Sequence, residues 1–261
     1  MSSQSDGRFA PSPSGRLHLG NLRTALLAWL FARSGGGSFL LRIEDLDRAR
    51  SKPEHERQQI ADLEAIGLDW DSEAPHGPQP EGAYPGTCKH LTASERAERE
   101  RSGRPAALRL DARAAQIEFE DRLHGQVTGV VDDFVLWRGD DTPAYQLAVV
   151  VDDADQGITE VVRGDDLLDS TPRQIELARL LGLTVPRYAH VPLVLGPDGQ
   201  RLAKRHGAVT LEDRDPREAL SWMASSVGLA RPGEPVVPQD LIPRFNPSRL
   251  VTSTGLQGLS L

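Results

Sequence analysis

The chain has 261 residues, enough for one large domain or two small ones, and no apolar run approaches the ~20 residues that span a bilayer, which excludes a membrane-spanning helix. One cysteine, Cys88, excludes an intramolecular disulfide, and together with an N-terminus that lacks an apolar stretch it predicts a cytoplasmic protein without a secretory signal. The net charge of −8 argues weakly against a nucleic-acid partner, although RNA recognition needs only a local basic face.

The first 70 residues alternate predicted strands and helices. A short strand over 8–12 ends at a pair of prolines, and apolar residues at three- and four-residue spacing predict a helix from Gly20 that stops at the glycines 35–37. A buried strand over 38–43 precedes an acidic cluster, and a helix over 53–66 begins at a proline and is followed by a glycine. This order predicts an α/β fold with a parallel sheet, whose ligands bind at the carboxyl ends of the strands.

The rest of the chain is less regular. Residues 72–88 hold four prolines and three glycines, which predicts irregular structure. The pattern predicts strands over 131–137, 146–151 and 191–195, and helices over 92–102, 113–117, 171–181 and 216–227. A Pro-rich tail without a clear period follows the last helix.

The segment RFAPSPSGRLHLGN, residues 8–21, has the composition of a phosphate-binding loop. Its glycines allow close approach of a ligand, His18 offers a hydrogen-bond donor, and the helix that begins near Gly20 directs its positive end at the ligand. An isolated histidine before a helix is more often a cap or packing residue, so the functional interpretation depends on a second segment.

That second segment is RLAKRHGA, residues 201–208. The chain has 27 arginines but only three lysines, so Lys204 is an uncommon choice of cation here. A lysine on a glycine-flanked loop can act as a compact charge on phosphate oxygens during displacement at phosphorus. The two segments together predict a triphosphate site on a nucleotide-binding sheet.

Four further residues are candidates for binding a small substrate. Glu44 follows a predicted strand and could bind an amine, whereas Arg8 and Arg163 suit carboxylates through the guanidinium fork. Tyr145, just before a predicted strand, is as consistent with the core as with the site. Taken alone, each charged residue of this set is more often found in a surface salt bridge.

These residues resemble the glutamyl-tRNA synthetase branch of the class I tRNA synthetases. HLGN, at 18–21, stands where the class consensus has HIGH, and RLAKR, at 201–205, stands where it has KMSKS. The resemblance extends from Arg8 to about Val209 and includes LLRIEDLD and TPAYQLAVVVDDADQGITEVVRGDDLLDSTPRQ. It implies a Rossmann-type parallel sheet with an inserted irregular or α+β subdomain and a short helical C-terminal segment.

Only about 50 residues follow the lysine loop, too few for an anticodon-binding domain, and YPGTC resembles the glutamyl-Q tRNA(Asp) synthetase family. That resemblance implies activation of L-glutamate with ATP and Mg²⁺, and transfer of glutamate to queuosine in the anticodon loop of tRNA(Asp). The implied enzyme is a cytoplasmic monomer without a membrane partner.

The resemblance also implies roles for individual residues. His18 and Lys204 are the implied catalytic residues, and His18, Gly20, Asn21 and Lys204 the implied ATP-binding set. The implied glutamate-binding residues are Arg8, Phe9, Ala10, Pro11, Ser12, Glu44, Tyr145 and Arg163.

The chain departs from the family at the zinc site. Tyr84 and Cys88 match two of the family's zinc ligands, but the preceding Cys-x-Cys pair is absent, so the site is incomplete and zinc is doubtful. In the family, a longer segment follows the sequence that DWDSE, at 69–73, resembles. In this chain DWDSE is followed directly by the sequence that comes after that segment in the family. We therefore expect a missing segment near Glu73–Ala74. We also expect a catalytic domain that comprises residues 1–73 and 106–200, with an inserted acceptor-type region at 74–105. Residues 201–261 would hold the lysine loop and the C-terminal segment.

Three alternatives stay open at this point. The chain could be a truncated glutamyl-tRNA synthetase that charges a tRNA 3′ end, or a non-catalytic synthetase-like module that binds RNA or protein. The presence of both His18 and Lys204 disfavours the second of these. Another adenylyl transferase on the same sheet is disfavoured by Glu44, Tyr145 and Arg163.

Overall fold

The computed structural model describes residues 5–45, 50–75, 92–101, 103, 106–196, 202, 209–212 and 214–250. The strands are β1 (Gly7–Phe9), β2 (Phe39–Ile43), β3 (Ser72–Pro75), β4 (Leu108–Arg109), β5 (Gln116–Asp121), β6 (Gly125–Val130), β7 (Val135–Trp137), β8 (Glu160–Gly164) and β9 (Arg187–Val191). The helices are α1 (Leu19–Ser34), α2 (Pro53–Ala65), α3 (Ala93–Arg101), α4 (Tyr145–Asp155), α5 (Thr171–Leu181), α6 (Pro216–Ser226) and α7 (Pro238–Leu241). Within these ranges no helix is both long enough and apolar enough to cross a bilayer.

Two sheets meet edge to edge and form the framework of the fold. One is parallel, in the order β1-β2-β3, and the other has the order β6-β5-β9-β8, with β8 and β9 parallel. The amides of Thr159 and Glu160 donate to the carbonyl of Asp6 at 3.0 and 3.1 Å, so β8 begins beside β1. The carboxyl ends of β1, β2 and β8 therefore lie along one edge, and the predicted parallel α/β sheet is confirmed.

Helix α1 is buried on nearly all sides, as expected for a helix that is apolar around its circumference. Its contact with β1 is close because a Cβ atom at Gly7 would lie 3.3 Å from the Cβ of Ala32. The C-terminal segment covers another face, where the rings of Phe31 and Phe245 lie 4.9 Å apart between centroids. The N-terminal strands and the C-terminal segment thus share one core.

Most predicted helices are confirmed within a residue or two. The helix from Gly20 corresponds to α1, and those over 53–66, 92–102, 171–181 and 216–227 correspond to α2, α3, α5 and α6. The C-terminal tail, which has no period in the sequence, contains α7 and two short 3-10 helices, Ile242–Arg244 and Pro247–Arg249. Tail residues join the core because Val236 and Leu241 are buried there.

The helix predicted over 113–117 is wrong. Arg113 and Ala114 have φ angles of 52° and 55°, a left-handed conformation that a right-handed helix cannot contain, and β5 begins directly afterwards. The antiparallel pair β5–β6 was not predicted at all. Of the strand predicted over 131–137, only the last three residues form a strand, β7. The strand predicted over 191–195 is replaced by β9, which ends at residue 191.

The strand predicted over 146–151 is also wrong, because this segment belongs to helix α4. Tyr145, Ala148 and Val149 are buried at helical spacing, whereas Val151 is exposed. A short run rich in valine fits a buried strand and a buried helix equally well, and period alone does not separate them. Packing of α4 against the rest of the fold decides between the two.

We expect Leu30→Ala in α1 to lower the free energy of unfolding by about 2–5 kcal/mol, because Leu30 is fully buried and its truncation leaves a cavity in the core. Leu180→Ala is the matched control, since it makes the same change in α5 at a side chain that is 59% exposed. It should alter stability by less than about 0.5 kcal/mol. Urea unfolding monitored by circular dichroism measures both, and equal losses would contradict this assignment of the core.

Candidate active site

A cavity of about 560 Å³ opens at the carboxyl ends of β1, β2 and β8. Most of the residues that the sequence predicted for nucleotide and substrate binding line it, namely residues 8–12, His18, Asn21, Glu44, Tyr145 and Arg163. Gly20 is the exception among the predicted residues that the structure describes. Residues from five separate parts of the chain are thereby brought to one site, at the edge of the sheet where ligands of α/β proteins bind.

His18 is the N-cap of α1 and also lines the cavity. Its Nδ1 accepts from the amide of Asn21 at 3.2 Å, and the Asn21 Oδ1 accepts from the amide of His18, also at 3.2 Å. Gly20 leaves room for the imidazole, because a Cβ there would lie 2.9 Å from the Cε1 and Nδ1 of His18. The same side chain therefore caps α1 and forms part of the cavity wall, and the positive end of the helix dipole lies at the cavity, which favours an anion there.

The loop before α1 is held from below by α2. The side-chain amide of Gln59 is buried and donates to the carbonyls of Ser12 and Gly15 at 3.1 and 2.6 Å. The amide of Glu44 donates to the carbonyl of Pro11 at 3.0 Å. These bonds give the Pro-rich loop a fixed path along the cavity even though it has no regular secondary structure.

A buried carboxylate joins two arginines beneath the site. Asp153 of α4 accepts from Nε and Nη2 of Arg8 at 3.0 and 3.2 Å, and from Nη1 of Arg42 at 2.6 Å. Burial would raise the pKa of Asp153, but the two guanidinium groups outweigh burial and lower it. Asp153 therefore stays ionised and orients Arg8, which lines the cavity.

Glu44 is the second carboxyl group of this cluster. It is 5% exposed and lies 3.5 Å from Nη2 of Arg42, a long contact. Burial raises the pKa of Glu44 to about 7, and the nearby Arg42 and Arg8 reduce this effect without cancelling it. A carboxyl group whose pKa is raised by burial and that lines a cavity is suited to receive a cationic ligand group, which would stabilise its ionised form.

Tyr145 begins α4 and is buried at the cavity. Burial, reinforced by the charge of Glu44, raises the pKa of its phenol, so the hydroxyl stays protonated at neutral pH. The hydroxyl can therefore donate a hydrogen bond to a ligand.

Arg163, in β8, is 5% exposed and fixed by several bonds. Its Nε donates to Nε2 of His190 at 3.0 Å, and its Nη1 donates to Gln174 at 2.8 Å. Its Nη2 donates to Thr171 Oγ1 at 2.7 Å and to the carbonyl of Leu167 at 3.3 Å. The guanidinium is thus held in a single plane at the cavity wall.

Five residues that organise the site were missed at the level of sequence. They are Arg42, Gln59, Asp153, Gln174 and His190, all of them buried. Three of these interrupt apolar runs, in FLLRI, AVVVDDAD and YAHVPLVL. A polar residue inside an apolar run must find a buried partner, and that is the signal that could have found them.

Lys204, Tyr84 and Cys88 lie outside the described residues. Leu202 lies two residues before Lys204, is buried and lines the cavity. The zinc expectation gains no support, because no group of three or more His, Cys, Asp or Glu side chains within the described ranges is arranged to hold a metal ion.

A family model described as tRNA synthetases class I (E and Q), catalytic domain, matches residues 6–82 and 73–234. The chain belongs to this family. All the residues that line the cavity fall within the matched ranges.

Relatives and a solved structure agree with this membership. The glutamyl-Q tRNA(Asp) synthetase of Nocardia farcinica is 54% identical over 94% of this chain and 90% of the relative. That of Symbiobacterium thermophilum is 47% identical over 94% of this chain and 93% of the relative. The crystal structure of glutamate-tRNA synthetase from Elizabethkingia anophelis has a TM-score of 0.81 at 24% identity, covers 98% of this chain and 68% of that chain, and shows the shared fold.

The two matched segments of this class I family overlap at residues 73–82. The alignment with the Nocardia farcinica protein spans 288 positions, more than the 261 residues of this chain. That relative therefore contains residues that have no counterpart here.

We expect Glu44→Gln to stabilise the protein increasingly as the pH rises. The pKa of about 7 in the folded state exceeds the value of 4.5 in the unfolded state. Stability from the protonated carboxyl is therefore fully present below pH 4.5 and lost as the pH passes 7, by roughly 3 kcal/mol in total. Glutamine resembles the protonated acid and cannot ionise, so it avoids this loss.

Urea unfolding at pH 5, 6, 7 and 8 measures the effect as the difference in the free energy of unfolding between Glu44→Gln and the unchanged protein. The difference should grow with pH and approach a constant value above pH 8. Glu118→Gln removes the same charge from an exposed position on β5 and is the control. A difference that does not vary with pH would contradict the assignment.

Proposed function

We propose that this protein activates L-glutamate with ATP and transfers the glutamyl group to the queuosine base in the anticodon loop of tRNA(Asp). The observation that carries the proposal is the cavity itself, which combines the N-terminus of α1 with two arginines and a carboxyl group, in a chain of the class I family. Two relatives with that name, at 54% and 47% identity over most of their length, support the choice of substrates.

Glutamate is a good match for the charges of the cavity. Its ammonium group would pair with Glu44, and the Tyr145 hydroxyl would help to orient it. Its carboxylates would bind Arg163 and Arg8, both of which are prevented from rotating by buried partners. Fixed donors lose little conformational entropy on binding, which favours affinity.

ATP would place its phosphates at the N-terminus of α1, beside His18 and Asn21, where the helix dipole favours negative charge. Gly20 supports this end of the site by leaving room for His18. The position of Leu202 at the cavity supports a role for Lys204 on the same phosphates. Magnesium would enter with ATP and neutralise phosphate charge.

The chemistry then proceeds in two displacements. A carboxylate oxygen of glutamate attacks the α-phosphorus of ATP, and pyrophosphate leaves with the electrons of the broken P–O bond. A hydroxyl of queuosine next attacks the carbonyl carbon of the adenylate and loses its proton, and AMP leaves. Lys204 would stabilise charge that builds on the phosphate oxygens in the first displacement.

The domain arrangement expected from the sequence is part of the proposal. Residues 1–73 and 106–200 would form the Rossmann-type catalytic domain, 74–105 the shortened acceptor-type insert, and 201–261 the lysine loop with the C-terminal segment. The overlap of the two family matches at 73–82 supports a missing segment near Glu73–Ala74. The protein would act as a monomer, and the substrates ATP and tRNA suggest the cytoplasm.

We expect Lys204→Ala to lower the rate of glutamate-dependent ATP–pyrophosphate exchange by about 10²- to 10³-fold, because one electrostatic donor to the transition state is lost. Lys52→Ala, which removes an exposed lysine, is the control and should exchange at the unchanged rate. The assay is run without tRNA. Exchange that is unaffected by Lys204→Ala would refute its assignment to the phosphates.

Acceptor choice separates the proposal from a truncated glutamyl-tRNA synthetase. A queuosine exposed in the single-stranded anticodon loop can enter the cavity if the base leaves the stack, so the 3′ end is not needed. We expect tRNA(Asp) that lacks its terminal adenosine to accept labelled glutamate fully, and tRNA(Asp) that lacks queuosine to accept none. The reverse pattern would indicate charging of the 3′ end.

A further inference from the structure

A buried chain of hydrogen bonds lies behind Arg163, on the side away from the cavity. It runs from Asp121 at the end of β5, through His190 of β9, to the guanidinium of Arg163. The side chains of Asp121 and His190 are fully buried, and neither residue lines the cavity. The proposed function does not use them, and their arrangement therefore needs its own explanation.

Both ring nitrogens of His190 are engaged, and in different ways. Nδ1 lies 2.7 Å from Oδ2 of Asp121, whereas Nε2 lies 3.0 Å from Nε of Arg163. An arginine nitrogen can only donate, so Nε2 must accept and Nδ1 must carry the proton. Burial lowers the pKa of His190, with Asp121 opposing and Arg163 adding to this effect, which keeps the ring neutral.

Asp121 is the group that selects this tautomer. Its Oδ1 accepts from the amides of Leu123 and His124, each at 3.0 Å, and its Oδ2 accepts from the amide of His190 at 3.1 Å in addition to the ring. Burial would raise the pKa of Asp121, but these hydrogen bonds lower it. A carboxylate surrounded by four donors remains an acceptor, so Nδ1 of His190 has to donate.

The hydrogen bonds of Arg163 fix the orientation of its guanidinium group. Arginine has five N–H groups, and the bonds to His190, Gln174, Thr171 and Leu167 occupy four of them. The remaining N–H belongs to Nη1. The guanidinium also lies over the ring of Tyr188, with 5.5 Å from its central carbon to the ring centroid.

We infer that Asp121 and His190 are positioning residues that hold the Arg163 guanidinium in the orientation that binds a carboxylate of the amino-acid substrate. This inference rests on the proposed function, which assigns a substrate carboxylate to Arg163. Loss of the acceptor at Nε2 leaves the Nε–H of Arg163 without that partner and removes one of the four bonds that fix the guanidinium, so its orientation shifts. Reversal of the tautomer points an N–H of His190 at the Nε–H of Arg163. Both changes weaken glutamate binding without touching the ATP side of the cavity.

Two substitutions of His190 separate positioning from packing. His190→Gln can place an amide oxygen near the position of Nε2, where it accepts from Arg163. His190→Asn can place an amide N–H near the position of Nδ1, where it donates to Asp121, but it does not reach Arg163. We expect His190→Asn to raise the glutamate KM roughly 10- to 100-fold, the range for a lost hydrogen bond to a charged group, and His190→Gln to stay within about 3-fold.

The carboxylate is tested with Asp121→Asn, which should raise the glutamate KM to a similar extent because the amide can favour the wrong tautomer of His190. Asp155→Asn, at an exposed position at the end of α4, is the matched control and should change nothing. The ATP KM, measured in the same pyrophosphate-exchange assay, should remain within about 2-fold in every variant. A parallel rise in both KM values would indicate general disruption and would overturn the inference.

Arg163→Ala distinguishes failure of the inference from failure of the proposed function. If Arg163→Ala leaves the glutamate KM unchanged, the proposed site itself is wrong. If Arg163→Ala raises it while His190→Asn and Asp121→Asn do not, only the positioning role is refuted. A readout on the unaltered protein guards against variants that fail to fold: ¹⁵N spectra of histidine-labelled protein should show His190 protonated at Nδ1 and unprotonated at Nε2, and the opposite tautomer would overturn the inference.

Discussion

The carboxylate of Asp153 accepts hydrogen bonds from Arg8 of β1 and Arg42 of β2, and the arrangement of the site depends on this one interaction. An uncompensated buried charge costs several kcal/mol, so neither strand could carry its arginine into the interior without an anion between them. Because Asp153 lies near the end of α4, its ion pairs tie that end of the helix to both strands. The same placement brings Tyr145, at the start of α4, to the cavity.

The two carboxyl groups of this cluster differ because their partners differ. Asp153 receives three bonds of 2.6 to 3.2 Å, and its pKa is lowered, whereas Glu44 has one contact of 3.5 Å, and its pKa is raised to about 7. The Asp153 carboxylate therefore stays ionised and keeps a negative charge beside the two arginines. Glu44 remains a carboxyl group whose ionised form gains most from an additional cation, which is the property expected of a site for a substrate ammonium group.

Helix α1 contributes both to the stability of the core and to the structure of the cavity. Its apolar body is the centre of the core, and its N-terminus, capped by His18, forms part of the cavity. The packing at Gly7 holds the helix close to β1, so the cap and the strand that carries Arg8 are positioned by the same contact. A change that moved α1 would therefore disturb the phosphate and substrate sides of the cavity together.

The sequence by itself determined the α/β class, helices α1, α2, α5 and α6, and most of the residues that line the cavity, because glycines, caps and apolar periods act locally. It did not determine that 146–151 is helical, since a short valine-rich run fits a buried strand or a buried helix and only packing decides. Nor did it reveal Asp153 or the pair Asp121–His190, whose partners lie far away in the chain. Buried polar groups acquire their roles from the groups that folding brings within hydrogen-bond distance, and that distance exists only in the tertiary structure.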